Sequence, residues 1–293
     1  MLKGFGKTFH AIRKSKHLSL SKVGGNEVSK AQISRFEAEK SELTIEKFFF
    51  LLHNMRVSLD EFESIYEDYS LSDEYQFRQK LIAAYDSKDV HKLRKMYVEC
   101  ERKMQQQPEN IYAALTATVV KVFLNLVVGN VKFDPYEIKQ VQDYLLAVEN
   151  WGRYEFWVFG NVMTILKDDV RDSLGSIAMG KGEFYQVLHT NKRFAIRTFH
   201  NLASVALERG NLEQALKYLN HLDRMNISND YLYETLLIKY AKGLYAYRKG
   251  VIEGLNEMEK SIEILEELGC IEKAHSMQKE LKKILEVVDK EKE

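Results

Sequence analysis

Ser29, Lys30, Gln32, Ser34 and Arg35 stand within seven residues of one another, and every one of these side chains can donate a hydrogen bond. Such a set suits a polyanion. Lys and Arg meet phosphate oxygens, while Gln, Ser and Arg can bond base edges in the major groove of double-stranded DNA. Lys22 and Lys40 flank the set, and Arg13 and Lys14 lie upstream. A second set is doubled. Arg153, Trp157 and Asn161 are spaced four apart, and Arg193, Arg197 and Asn201 keep that spacing forty residues later. Side chains four apart share one face of a helix. Two layers of Arg and Asn would make a polar wall for an extended ligand, with Trp151, Tyr154 and Trp157 supplying apolar pockets.

Catalysis has no comparable constellation. GKT at 6–8 could end a phosphate-loop pattern, but its first glycine would fall on Met1, and no strand precedes it. The eight histidines include no HExxH spacing, and His189 and His200 accompany no Cys or carboxylate cluster. No catalytic residue, metal ligand or cofactor is therefore expected.

The elements that must hold the first set can be read from apolar spacing. Phe5, Phe9 and Ile12 recur at helical intervals and predict one buried face on a first helix. Leu20 and Val23 continue the core on a short second helix. Ser29 is a good N-cap for a third, on which Ile33 and Phe36 turn inward and Lys30, Gln32, Ser34 and Arg35 stay outside. Two of these have a plainer reading. Gln32 could complete a capping box with Ser29, and Arg35 could pair with Glu39 four residues on. Thr44 would cap a fourth helix carrying Phe48, Leu51 and Leu52, and Ser58 with Glu61 forms a capping box for a fifth. The order helix, sharp turn, outward polar helix suits insertion in a major groove. Charge agrees: residues 1–41 carry +6 and the remaining 252 carry −6, in a chain with 43 residues of each sign. A basic end raises phosphate affinity without reading sequence.

Residues 1–66 resemble a helix-turn-helix of the xenobiotic-response-element type. SKAQISRFE at 29–37, with LTIEKFFFLLHNMRVSLDEF at 43–62, is similar to the Rgg/GadR/MutR family of transcriptional regulators. ENWGRYEFWVFGN at 149–161 resembles a segment of the same family, so the likeness runs in order along almost the whole chain. It implies a homodimeric regulator of Gram-positive bacteria that binds a two-fold or pseudo-two-fold DNA site. It also implies a C-terminal helical-repeat domain that binds a short secreted signalling peptide. The chain departs from such motifs at Gly24, where Ala is usual, and at Glu27, the usual turn glycine. Adjacent Gly24 and Gly25 predict a short or irregular second helix.

The body repeats. RYEFWVFGNVMTIL at 153–166 aligns with RFAIRTFHNLASVA at 193–206, matching Arg153 to Arg193, Phe159 to Phe199 and Asn161 to Asn201. ALERGNLE at 206–213 aligns with AYRKGVIE at 246–253, again forty residues apart. A period near forty predicts stacked, tetratricopeptide-like helical hairpins. Gly210 and Gly250 fall where the first helix of a hairpin should end. Further hairpins are expected at 73–107 and 109–149, with 271–293 as a capping helix. The expectation is an all-α protein: a five-helix domain at 1–66, a linker at 67–72, and a right-handed solenoid at 73–293. Stacked first helices line the concave surface of such solenoids. There Asn161 and Asn201 would bond a peptide backbone, and Arg153 or Arg193 would take a carboxylate. The alternative is that Phe159, Phe199 and the asparagines simply fix hairpin packing.

Composition is consistent with a helical protein: two prolines, 45% hydrophobic residues and no regular run of alternating β-branched residues. Cys100 and Cys270 give no disulfide framework. The N-terminus, interrupted by Lys3 and Lys7, lacks the apolar core of a signal peptide, so a cytoplasmic location is expected. IYAALTATVVKVFLNLVVG at 111–129 approaches the length of a membrane span, but Lys121 sits at its centre. A helix buried between repeat neighbours is expected instead, with no membrane partner. Two other functions fit the same pattern: a helical-repeat scaffold that recruits proteins, or a regulator driven by a small molecule. Salt-sensitive DNA binding would exclude the scaffold.

Overall fold

The computed structural model describes residues 4–67, 73–181 and 189–292. Those residues form sixteen α-helices and no strand. The chain divides into two compact units, Met1–Ala83 and Ala84–Glu293.

The first unit contains α1 (Phe5–Ser15), α2 (Leu20–Gly24), α3 (Lys30–Glu37), α4 (Ile45–Met55) and α5 (Leu59–Tyr66). Phe9, Ile12, Val23, Ile33, Phe36, Leu51 and Leu52 lie in its core, as the spacing predicts; Val28 and Phe62 join them, while Leu20 and Phe48 are only partly buried against it. Phe5 does not join them. It is 55% exposed and stacks on the outer ring of Tyr66, with ring centres 4.5 Å apart. The first turn of α1 overhangs the core rather than entering it. The caps form where expected: Ser29 Oγ accepts from the Gln32 N–H at 3.2 Å, and Ser58 and Glu61 bond reciprocally at 3.3 Å. Thr44 occupies the N-cap of α4 without accepting a backbone bond.

Three glycines explain how so small a unit closes. A Cβ on Gly6 would lie 2.0 Å from the Phe36 carbonyl oxygen, so α1 rides directly on the backbone of α3. Gly24 faces Ile33 Cδ1 at 2.9 Å in the same sense, which rationalises Gly in place of the usual Ala. Gly25 has φ 53°, a conformation costly for other residues, and it ends α2 after five residues. Asn54 Nδ2 then donates to the Val23 carbonyl at 2.8 Å and ties α4 to this short helix.

Helix α6 (Asp73–Asp86) contains the boundary between the units. Beyond it come α7 (Val90–Gln106), α8 (Ile111–Val128), α9 (Pro135–Ala147), α10 (Arg153–Val162), α11 (Asp168–Lys181), α12 (His189–Glu208), α13 (Leu212–Arg224), α14 (Leu232–Arg248), α15 (Glu253–Glu267) and α16 (Ile271–Lys292). Within hairpins α12 packs on α13, and α14 on α15. Gly210 and Gly250 end the first helices at φ 74° and 85°, and the following N–H groups of Asn211 and Val251 reach back to Ala206 and Ala246. This is the glycine-terminated helix end that the repeat alignment requires. The first helices α8, α10, α12 and α14 pack closely at every step, whereas neighbouring second helices touch far more sparsely, chiefly α9 against α11. A stack tighter on one side curves toward that side, so the first helices form the inner face. Phe159 and Phe199 are fully buried, and Thr198 Oγ1 donates to the Phe156 carbonyl at 3.1 Å across α12 and α10. Truncating such a phenylalanine to alanine costs about 3–5 kcal/mol.

Helix α8 is long and apolar enough to cross a membrane, with a mean hydropathy of 1.9. Half of it is buried against protein, and it packs on α7, α9 and α10. Lys121 does not face lipid alone: its Nζ donates to both Glu137 oxygens at 2.8 and 2.7 Å, with the Phe133 ring 5.3 Å away.

Candidate functional site

Helix α3 presents the polar set. Ile33 and Phe36 are buried, while Lys30, Ser34 and Arg35 are exposed and Gln32 is half-buried. Ser29 caps the helix, but the capping box is one-sided, because Gln32 does not return the bond. Its amide is thereby left for an outside partner. Glu39, the alternative partner of Arg35, instead faces Lys7 Nζ at 3.3 Å. Lys14, Lys22 and Lys40 are exposed.

Arg13 requires a correction. Expected among the DNA-facing cations, it is only 5% exposed and all its donors point inward. Nε and Nη2 grip the two Glu37 oxygens at 2.5 and 2.7 Å, and Nη1 donates to the Leu18 carbonyl at 2.7 Å. His10 Nδ1 meets the same carboxylate at 2.6 Å. Burial works against ionising Glu37, but the bonds from Arg13 and His10 prevail and hold its carboxyl below the ordinary value. Arg13 is therefore a brace between α1 and the last residue of α3. The acid that captures it lies 24 residues away, so local spacing gave no sign of the pairing.

On the inner face of the repeat unit, Arg193, Arg197 and Asn201 are exposed along α12, one turn apart. The partner of the two arginines is Glu234 on α14, a buried residue at 2% exposure. Arg197 reaches Glu234 Oε1 through Nε at 2.9 Å and Nη2 at 2.8 Å, and Arg193 Nε reaches the same oxygen at 3.4 Å. Arg193 also lies over the Tyr231 ring at 5.6 Å, and Arg197 over Tyr233 at 5.7 Å. Two cations thus share one carboxylate, and one positive charge is uncompensated within the triad. Glu234 was missed in the sequence. Forty residues after Arg193, Arg197 and Asn201 stand Tyr233, Leu237 and Ala241. The Arg/Asn set ends there, and that break was the available signal. Beside Asn201, His200 is pushed down to about 4, first by burial and then by Lys273 and Arg197. It is neutral near pH 7.

Helix α10 differs from its repeat. Arg153 is exposed, but Trp157 is 8% exposed and lies against Tyr154, with ring centres 5.8 Å apart. Tyr154 is half-buried in an edge-to-face cluster with Tyr112 and Tyr144. Asn161 is half-buried and spends an amide hydrogen on the Trp157 carbonyl of its own helix, at 2.6 Å. Trp151 is a second correction: it is fully buried, its Nε1–H donates to the Leu145 carbonyl at 3.1 Å, and its ring packs on Phe156 and Phe159. It closes the α9–α10 connection and lines no ligand pocket.

Comparison with known proteins places this architecture. The model of the C-terminal domain of the HTH-type transcriptional regulator Rgg matches residues 92–279. The crystal structure of the SHP pheromone receptor Rgg2 of Streptococcus dysgalactiae is similar at TM-score 0.81 and 23% identity, over 95% of this chain and 99% of that one. A Listeria monocytogenes EGD-e protein assigned as a transcriptional regulator matches at TM-score 0.85 and 20% identity, over 99% of both chains. A bacterial peptide pheromone receptor, solved as a complex, matches at TM-score 0.68 and 15% identity, over 96% of this chain and 98% of that one. With the helix-turn-helix unit, the repeat hairpins and the family model extending over more than half its length, this chain belongs to the Rgg family of helix-turn-helix transcriptional regulators.

Proposed function

We propose that the protein is a cytoplasmic, homodimeric regulator that binds a two-fold or pseudo-two-fold DNA site through α3 and is controlled by a short signalling peptide on the inner face of its repeat unit. In this reading Lys30, Gln32, Ser34 and Arg35 enter the major groove, while Ser29, Lys14, Lys22 and Lys40 contact or border the phosphate backbone. The peptide reading draws support from the relatives, one a pheromone receptor and another solved as a peptide pheromone complex. The observation that carries it is the exposed Arg193–Arg197–Asn201 row, with its uncompensated positive charge beside a buried carboxylate. Asn201 can both donate to and accept from a peptide bond. Arg193, held to Glu234 by the longer contact, is the cation freer to take a ligand carboxylate. Arg153, Tyr154, Trp157 and Asn161 would border the next stretch of the same ligand on α10.

Calorimetric titration with the cognate peptide tests this. Asn201→Ala should weaken binding about tenfold, because a ligand amide is left unsatisfied. Glu213→Ala, on the exposed side of α13, should leave affinity unchanged. Equal affinities for the two variants would return Asn201 to a packing role and move the ligand elsewhere.

A further inference from the structure

The repeat unit carries a second polar set, toward the far end of α12 from Arg193. His200, Tyr240 and Glu280 stand forty residues apart on α12, α14 and α16, and Glu208 and Arg248 keep the same interval on α12 and α14. Tyr240 is 4% exposed, yet its hydroxyl has no hydrogen-bond partner among the described residues. The buried Nε of Arg248 has none either. A buried hydroxyl left unbonded costs free energy. On a face that already holds a polar row, it marks a place where an outside group completes the bonding.

Two carboxyl groups meet beside it. Glu280 is half-buried and its charge bears on the Tyr240 hydroxyl, while Glu208, in the last turn of α12, bears on Glu280. Neither closes an ion pair or a hydrogen bond among the described residues. Glu208 is open to solvent, yet burial still lifts its carboxyl above the ordinary value. That combination describes a concave wall, where solvent reaches a side chain that protein otherwise surrounds. Glu280 is raised by burial and then by Glu208; Lys273 and Lys283 offset this only in part, as Arg248 does for Glu208. The pair is short of positive charge, whereas Arg193 and Arg197 have it in excess over Glu234.

The two sets bracket a ligand. Arg193 and Glu208 lie fifteen positions apart on one helix, about 22 Å at a rise of 1.5 Å per residue. An extended chain rises about 3.3 Å per residue, so about seven residues span that length. A peptide whose carboxylate meets Arg193 thereby brings its amino end to Glu208 and Glu280.

We propose that Glu208, Glu280 and the Tyr240 hydroxyl form a subsite for a cationic group of the peptide, its terminal ammonium or a lysine side chain, so that the inner face fixes the direction of the ligand. This rests on the reading of that face as the peptide site. An ammonium has three donors, enough for both carboxylates and the tyrosine oxygen. A reversed peptide would set like charge against like at each end, which selects one direction of binding.

Affinity selection read by mass spectrometry tests this on the full chain. The probes are three libraries of Leu, Ile, Val, Phe and Gly peptides of that length with a free carboxyl end. One has a free amino end, one is acetylated there, and one is acetylated but carries a single Lys near that end. The wild-type chain should retain the free-amine library about tenfold over the acetylated one. Recovery of the Lys library would extend the subsite to side chains, and its absence would confine the subsite to the terminus. Glu208→Gln with Glu280→Gln should erase the preference, while Glu213→Gln on α13 should keep it. Should the double variant lose helicity, Glu208→Gln alone, at an exposed position, should cut the preference several-fold. Equal retention of all three libraries, or a preference that survives these changes, overturns the proposal. Unchanged retention in Asn201→Ala would instead sink the reading of the Arg193–Asn201 row, and a wild-type chain that retains no library sinks both.

Discussion

Arg35 and Lys30 are both exposed on α3, yet their loss should read differently. Arg35→Ala should cost about 1–3 kcal/mol of affinity and relax preference at one base pair, if the guanidinium meets a base edge. Lys30→Ala should weaken all sequences alike and flatten the dependence on salt. Anisotropy titrations of a bound promoter fragment and of scrambled DNA across a salt series separate the two. A double variant that binds as tightly as wild type would remove α3 from the DNA interface. Arg13, another cation of the same unit, belongs to stability instead. Glu37→Gln leaves its guanidinium buried without its counter-charge and should cost about 3–5 kcal/mol in denaturant titrations. Because the folded carboxyl of Glu37 lies below its ordinary value near 4.5, the pair stabilises above that value. The contribution is lost as pH falls through the folded value, and the variant should lack that acid loss. The contrast shows which residues were legible. Exposed positions of α3 follow from helical period and one cap, which are local. The fates of Arg13, Arg197 and Trp151 were set by Glu37, Glu234 and the Leu145 carbonyl, and only the fold brings those partners near.

At the scale of elements, glycine decides how closely helices meet. A Cβ on Gly254 would stand 2.3 Å from the Gly243 carbonyl oxygen, and one on Gly243 would stand 2.7 Å from that of Gly254. The α14–α15 hairpin is therefore crossed at its two glycines, backbone against backbone. Gly254→Ala should cost about 1–3 kcal/mol by overpacking. Gly210→Ala meets nothing within 4 Å, so it should lose only the penalty of φ 74°, about 1–2 kcal/mol. Thermal unfolding of both variants checks the order; a harmless Gly254→Ala would mean the crossing is loose. Gly210 and Gly250 were legible because they end helices at matching points of a repeat. Gly243 and Gly254 were not, because close approach depends on the hairpin partner and leaves no periodic trace. The five helices of the first unit were likewise readable from caps and apolar spacing, whereas the overhang of Phe5 was not.

For the whole molecule, a two-fold DNA site needs two copies of α3 about one helical turn or a multiple apart, and each chain has one. The chain mass of 34.2 kDa should therefore about double in sedimentation at micromolar concentration. A monomer with undiminished DNA affinity would sink the two-fold reading. The repeat unit was legible at this scale from its forty-residue period, though its curvature was not, since curvature comes from unequal packing of the two helix layers.

That inequality has a mechanical consequence. The inner helices are bound step by step through Phe156, Phe159, Phe199 and the Thr198 hydroxyl, while the outer helices touch more sparsely. A strip that is stiff on one surface and yielding on the other has one soft mode, a change in its radius of bending. Fanning the outer helices sacrifices little contact, whereas prising the inner ones apart breaks a continuous aromatic seam. A ligand lodged against the inner surface would then act as a spacer, and its thickness would set that radius.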